Sequence, residues 1–168
     1  MIKIKYTLLL ILAIQFTNLV NAQMVESSAY NIMLKTLLSR NVNEISVDSA
    51  AQLKNVVFLD AREKKEFKTS HIKDAIFVGY DNQNLKALKN IDKSETLIIY
   101  CSIGYRSEKT VQKLNQLGFS NVYNLYGGIF EWKNQGKPVF VNEGETEKVH
   151  AYSKTWGIWL KKGEKIYD

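Results

Sequence analysis

The chain has 168 residues, 45% of them hydrophobic and 24% charged. That is ordinary for one globular domain and excludes a disordered or low-complexity polypeptide. The formal net charge is +6, but no Lys/Arg cluster alternates with aromatics. The basic excess therefore reads as a solvated surface, not a nucleic-acid footprint. A single cysteine excludes an internal disulfide.

Residues 1–22 read as an export signal. Lys3 and Lys5 give a positive start, Leu8 to Ile14 is apolar, and Val20-Asn21-Ala22 offers small residues before Gln23. The apolar run is too short to span a bilayer comfortably, so no stable membrane insertion is expected after cleavage. An uncleaved anchor or a buried helix is the alternative. The expected location is periplasmic or secreted. One unpaired thiol in an oxidising compartment is a flag for reactivity.

An N-terminal extension, 23–41, carries helical spacing over 24–40. Tyr30, Met33, Leu34, Leu37 and Leu38 form one stripe, and Ser27 or Ser28 is the cap. The stripe is expected to pack on the domain. Glu44 to Val47 reads as a short strand and Asp48 to Leu53 as a short capped helix. Val56 to Asp60 is an apolar run, as in a central parallel strand covered on both faces. It ends at Asp60-Ala61-Arg62, on the strand rim where ligands gather in α/β sheets. Arg62 either helps hold an anionic substrate or pairs with Asp60 or Glu66. His71 reads as a turn residue bonded to backbone, because no second ligand stands at metal spacing.

Ala75 to Val78 reads as a strand, and Leu85 to Ile91 as helical. Thr96 to Tyr100 reads as a buried strand. A helix with Val111, Leu114 and Leu117 on one side follows, stopped by Gly118. Between them lies Cys101-Ser102-Ile103-Gly104-Tyr105-Arg106-Ser107. A cysteine at a strand-to-helix turn faces unpaired helix N–H groups, which stabilise a thiolate, and Arg106 adds to this. Gly104 permits the turn and Ser107 can cap the helix. A lone cysteine is usually a small buried apolar residue, but Ser, Ile, Gly and Arg after it favour a reactive one. Asn121 to Leu125 is a last strand. The tail, 141–168, spaces Tyr152, Trp156 and Trp159 along one helical face, with Gly157, a poor helix former, among them. These aromatics are expected to cover a patch of the domain; a dimer or partner surface is the alternative. Alternating strands and helical segments argue for an α/β fold with a parallel sheet.

Three groups of residues then resemble the single-domain rhodanese-like sulfurtransferase family. They are Cys101-x-x-Gly104-x-Arg106-Ser107; Asp60-Ala61-Arg62 with Glu66-Phe67, His71-Ile72 and Ala75-Ile76; and Tyr126-Gly127-Gly128 to Trp132 with Gly136-Lys137-Pro138. The resemblance covers 42–140. Ser70 stands where the family commonly has Gly, and Lys73-Asp74 replace a frequent Pro-Gly, which bears on a turn. The resemblance implies a three-layer α/β fold, a five-stranded mostly parallel sheet with helices on both faces. It implies transfer of a sulfane sulfur from thiosulfate, a persulfide or a polysulfide to cyanide or a thiol, through a persulfide on Cys101, without metal or cofactor. The N–H groups from Ser102 through Ile103, Gly104, Tyr105 and Arg106 to Ser107 would surround the sulfur. Arg106 would hold the oxyanion part of a donor or clasp the loop carbonyls, and Asp60 and Arg62 are further candidates for substrate binding. Four residues separate Cys101 from Arg106, against five in the phosphatases of this fold, and a tighter ring suits one sulfur atom. The alternatives are a non-catalytic or redox-sensing binding module and, further off, a phosphatase or arsenate reductase.

Overall fold

Two apolar runs, 56–60 and 96–100, make the centre of the sheet because each feeds both of its faces. The computed structural model describes residues 24–168; the export segment lies outside them. The described strands of the main sheet are β1 (Glu44–Ile45), β2 (Val56–Asp60), β3 (Ile76–Phe77), β4 (Thr96–Tyr100) and β5 (Val122–Leu125). All pair in parallel, in the spatial order β1-β5-β4-β2-β3. Side chains alternate across the pleat. Phe58, Ile98 and Tyr100 enter one core, and Leu59, Leu97 and Ile99 enter the other.

The first core is closed by α1 (Ser28–Leu37), α2 (Val47–Gln52) and α5 (Gly128–Asn134), through Tyr30, Leu34, Val47, Ala50, Ile129 and Phe130. The second is closed by α4 (Tyr105–Gln116), through Val111 and Leu114, and by a 3₁₀ turn at Leu85–Leu88. The short α3 (Lys64–Thr69) follows β2. Helices on both faces and a five-stranded parallel sheet are the architecture expected from the sequence.

Local boundaries differ for identifiable reasons. Val47 is the first residue of α2 and not the end of β1, because the Ser46 hydroxyl accepts the Ser49 N–H at 3.1 Å and starts the helix there. Helix α1 is shorter than 24–40; Ser27 caps it, and Leu38 leaves it in extended backbone while staying buried. Leu117 is 47% exposed, because α4 ends before it. Gly118 turns the chain at φ +88°, and Phe119 enters the second core in its place. Asp74 adopts φ +58°, so the turn that the family commonly builds with Pro-Gly is made here by a residue that tolerates left-handed backbone.

The tail does not form one helical face. It contains a hairpin, β6 (Val139–Val141) with β7 (Gly144–Thr146), then β8 (Lys148–His150), the four-residue α6 (Lys154–Gly157) and β9 (Glu164–Ile166), which pairs in parallel with β8. Trp159 stacks on Tyr30, with ring centroids 5.2 Å apart. Val149, Ala151 and Leu160 are buried in the first core, as are Tyr30 and Leu34 from the other end. A buried Leu contributes about 1.5–3 kcal/mol, so both chain ends are part of the domain's stability.

The pair Gly127-Gly128 brings α5 against the cysteine loop. Ile129 N–H donates to Cys101 O at 2.9 Å, and Phe130 N–H to Ser102 O at 3.1 Å. A Cβ on Gly128 would collide with Cys101 O and lie 2.7 Å from Ser102 O, at φ +58°. Gly128→Ala is therefore expected to cost about 3 kcal/mol or more through overpacking plus left-handed strain. Gly136→Ala, at φ +74° with nothing near the added carbon, is expected to cost about 1 kcal/mol. Urea unfolding of the two variants checks the contrast.

Candidate active site

The Cys101 loop runs from the carboxyl end of β4 into the N-terminus of α4. Gly104 is the turn residue at φ +113°, a conformation a side chain would resist. This turn sends the Gly104 N–H back to Cys101 Sγ at 3.1 Å. The carbonyls of Cys101 and Ser102 are directed the other way, into the first turn of α5. The loop thus offers a hydrogen-bond donor to the sulfur and keeps its acceptors elsewhere. Among the described residues, Gly104 is the loop residue whose N–H hydrogen-bonds the sulfur, a smaller set than the ring from Ser102 to Ser107 expected from the resemblance.

Ser107 does not cap α4. It sits inside the first turn, with Oγ 2.7 Å from Asn124 Oδ1 and 3.1 Å from Gly104 O. Asn124 Nδ2 also donates to Gly104 O, at 3.1 Å. The two side chains hold the Gly104 carbonyl, Ser107 from α4 and Asn124 from β5. Ser107 is buried behind the loop and has no face toward a ligand.

Glu66 on α3 governs the other side. Its Oε1 accepts Ser102 Oγ–H at 2.9 Å and Arg106 Nη2 at 2.7 Å; its Oε2 accepts Arg106 Nη1 at 2.6 Å and the Glu63 N–H at 2.9 Å. Burial by itself raises the Glu66 carboxyl. The bidentate bond and charge of Arg106, the charge of Arg62 and the Glu63 N–H outweigh it, and hold the group down at about 2. Burial likewise works against the Arg106 guanidinium, but the bond to Glu66 and the negative charges of Cys101 and Glu66 raise it above its ordinary range. Arg106 clasps the loop through Glu66 and Ser102, not through the loop carbonyls.

Asp60 and Arg62, expected at the substrate, are elsewhere. Both are 0% exposed. Arg62 Nε lies 3.0 Å from Asp60 Oδ1, and Nη2 donates to Asp60 Oδ2 and to Ser70 O, each at 2.6 Å. Burial opposes the Arg62 charge, and Asp60 more than restores it, raising the guanidinium above its usual range. The pair is a sealed clamp between β2 and the turn after α3. It is one of the pairings read for Arg62, and it excludes contact with a ligand. His71 is a turn residue: Nδ1 lies 3.0 Å from Phe67 O, and its ring stacks on Phe67.

Cys101 is 1% exposed, yet its remaining surface lines the floor of a cavity of about 470 Å³. Ser102, Ile103, Tyr105 and Arg106 also line it, all from the loop. The other walls were not legible as site residues. Leu37 comes from α1, Glu63, Tyr80 and Asp81 from the loops beside β2 and β3, and Tyr152 and Trp156 from the tail. The tail aromatics were visible as a dense apolar set, but their spacing pointed to a helix face. No group of three or more His, Cys, Asp or Glu suited to a metal occurs among the described residues.

Comparison with known proteins matches the family model "Rhodanese-like domain" to residues 46–135. The chain is 33% identical over 107 residues to a sulfurtransferase of Allochromatium vinosum, covering 61% of this chain and 99% of that one. It is 30% identical over 105 residues to thiosulfate sulfurtransferase GlpE of Actinobacillus pleuropneumoniae, covering 61% and 96%. Among solved structures, the BH2092 protein of Bacillus halodurans superposes with a TM-score of 0.54 at 26% identity, over 67% of this chain and 83% of that one.

Because the folded Glu66 lies at about 2 against an ordinary 4.5, its contribution is complete above pH 4.5 and is lost as the pH falls toward 2. Such a shift is worth on the order of 3 kcal/mol. Glu66→Gln is expected to lose roughly 3 kcal/mol at pH 7, where it strands the Arg106 charge, and clearly less at pH 3. Urea titrations of both proteins at the two pH values check this.

Proposed function

The chain belongs to the rhodanese-like domain family, and on that premise we propose that it is a sulfurtransferase working through a persulfide on Cys101. The observation that carries the reading is a single cysteine on the floor of an open cavity with a backbone N–H directed at its sulfur. The Cys101 thiolate attacks the outer sulfur of thiosulfate, a persulfide or a polysulfide. The Sγ–S bond forms, the donor's bond to that sulfur breaks, and the donor remnant leaves with the electron pair. A thiol or cyanide then attacks the outer sulfur and restores the thiolate. Two half-reactions through a covalent intermediate give ping-pong kinetics.

The Gly104 N–H stabilises negative charge on sulfur at the start of each step. The Arg106 guanidinium adds positive charge beside it. Arg106 is a positioning residue here: it holds Ser102 and Glu66, and so the shape of the loop. The chain has no second cysteine, so the persulfide is discharged by another molecule.

Cys101→Ser is expected to abolish sulfur transfer while leaving the unfolding midpoint close to that of the parent. Intact mass after incubation with thiosulfate or a polysulfide should show one added sulfur on the parent and none on the variant. Aryl-phosphate hydrolysis run in parallel should stay at background; turnover there, with no sulfur on Cys101, would favour a phosphatase. We also propose that the protein is exported. N-terminal sequencing of the mature chain should begin at Gln23.

A further inference from the structure

The cavity above Cys101 is larger and less cationic than a site for a small inorganic dianion needs to be. About 470 Å³ lies within the ~300–1,000 Å³ typical of pockets for organic ligands. Its apolar walls are Leu37, Ile103, Tyr105, Tyr152 and Trp156. Among the described residues, the one cationic side chain lining it, Arg106, is bound on both terminal nitrogens by Glu66. Glu63 and Asp81 add two further carboxylates to the lining. Among the described lining side chains, carboxylates thus outnumber cations.

The tail wall is built, not draped. Tyr152 holds a left-handed backbone, φ +64°, and its N–H donates to His150 Nδ1 at 3.1 Å. The other ring nitrogen, Nε2, lies 3.2 Å from Asp168, which pairs with Lys65 on α3. The Tyr152 ring, half-exposed, lies 5.1 Å from the Arg106 guanidinium. Trp156 is set by the Ser153 cap of α6. Beyond it, Leu160 is anchored in the first core.

We infer that this aromatic wall makes the site selective for a low-molecular-weight organic persulfide, RS–SH, with an apolar body that is uncharged or cationic, over thiosulfate. This rests on the sulfurtransferase reading above. The Cys101 thiolate attacks the terminal sulfur of RS–SH, the new Sγ–S bond forms and the donor's S–S bond breaks. RS⁻ leaves with the electron pair and takes a proton from the new persulfide, giving RSH. The Cys101 sulfur is oxidised as the donor is reduced, and no further reagent is needed. The R group rests against Trp156 and Leu37, and Glu63 and Asp81 repel an anionic donor.

The test measures kcat/KM for loading Cys101 of the full chain, by intact mass, with benzyl persulfide and with thiosulfate. Benzyl persulfide is expected to be better by at least about tenfold, a difference of ~1.4 kcal/mol. Trp156→Ala should lower that ratio about tenfold, through loss of apolar contact of similar size. Tyr152→Asn, which keeps a residue tolerant of left-handed backbone, should lower it as well and serves if the Trp156 variant does not fold. Equal efficiency of the two donors in the parent, or a ratio unmoved in a folded wall variant, overturns this inference and leaves the transferase reading standing. Sulfur on Cys101 from neither donor overturns both.

Discussion

The buried carboxylate of Glu66 is the interaction on which the loop geometry rests. Four donors converge on it: two from Arg106, one from Ser102 and one from the Glu63 backbone. A carboxylate offers about four acceptor sites, so this one is saturated. Saturation is what makes its burial tolerable; an ion pair out of water is stable only when the remaining lone pairs are met. In consequence α3, the cysteine loop and the first turn of α4 are tied together through one carboxylate. The loop carbonyls are satisfied from α5, the Gly104 carbonyl is held by Ser107 and Asn124, and the Gly104 N–H is directed at the sulfur.

The two arginines near the strand rim show how differently one residue type is used. Arg62 is sealed with Asp60 between β2 and the turn after α3, and its guanidinium lies 5.5 Å from the Tyr100 ring centre. Arg106 keeps one edge on the cavity and is covered by a half-exposed tyrosine. Both are tied to a carboxylate by two nitrogens, yet only Arg106 is placed to act on the sulfur.

The central strands were legible to the residue, because 56–60 and 96–100 carry apolar side chains to both faces and few other structures tolerate that. The cysteine turn was legible because a strand, a glycine and a helix pattern bracket it. The role of Glu66 was not: its partner Arg106 is 40 positions away, and spacing alone cannot choose between Arg62 and Arg106 for it. Leu117 departs from the expected stripe because the periodicity runs up to it, whereas α4 ends at Gln116 and leaves it as the exposed C-cap. The tail misled for a related reason. Tyr152 in left-handed backbone and Ser153 in extended backbone precede α6, which spans only Lys154–Gly157, so 152, 156 and 159 do not share one helix.

The entrance to the cysteine is assembled from opposite extremes of the chain, Leu37 near one end and Tyr152 and Trp156 near the other. The sheet and the loop can be completed by residues up to Phe130. The vestibule cannot: it waits for β9 to lie beside β8 and for Asp168 to reach His150. The sulfur thus takes its hydrogen-bond donor and its cover from separate parts of the chain, and removing residues 150–168 would leave it with no tail aromatics around it.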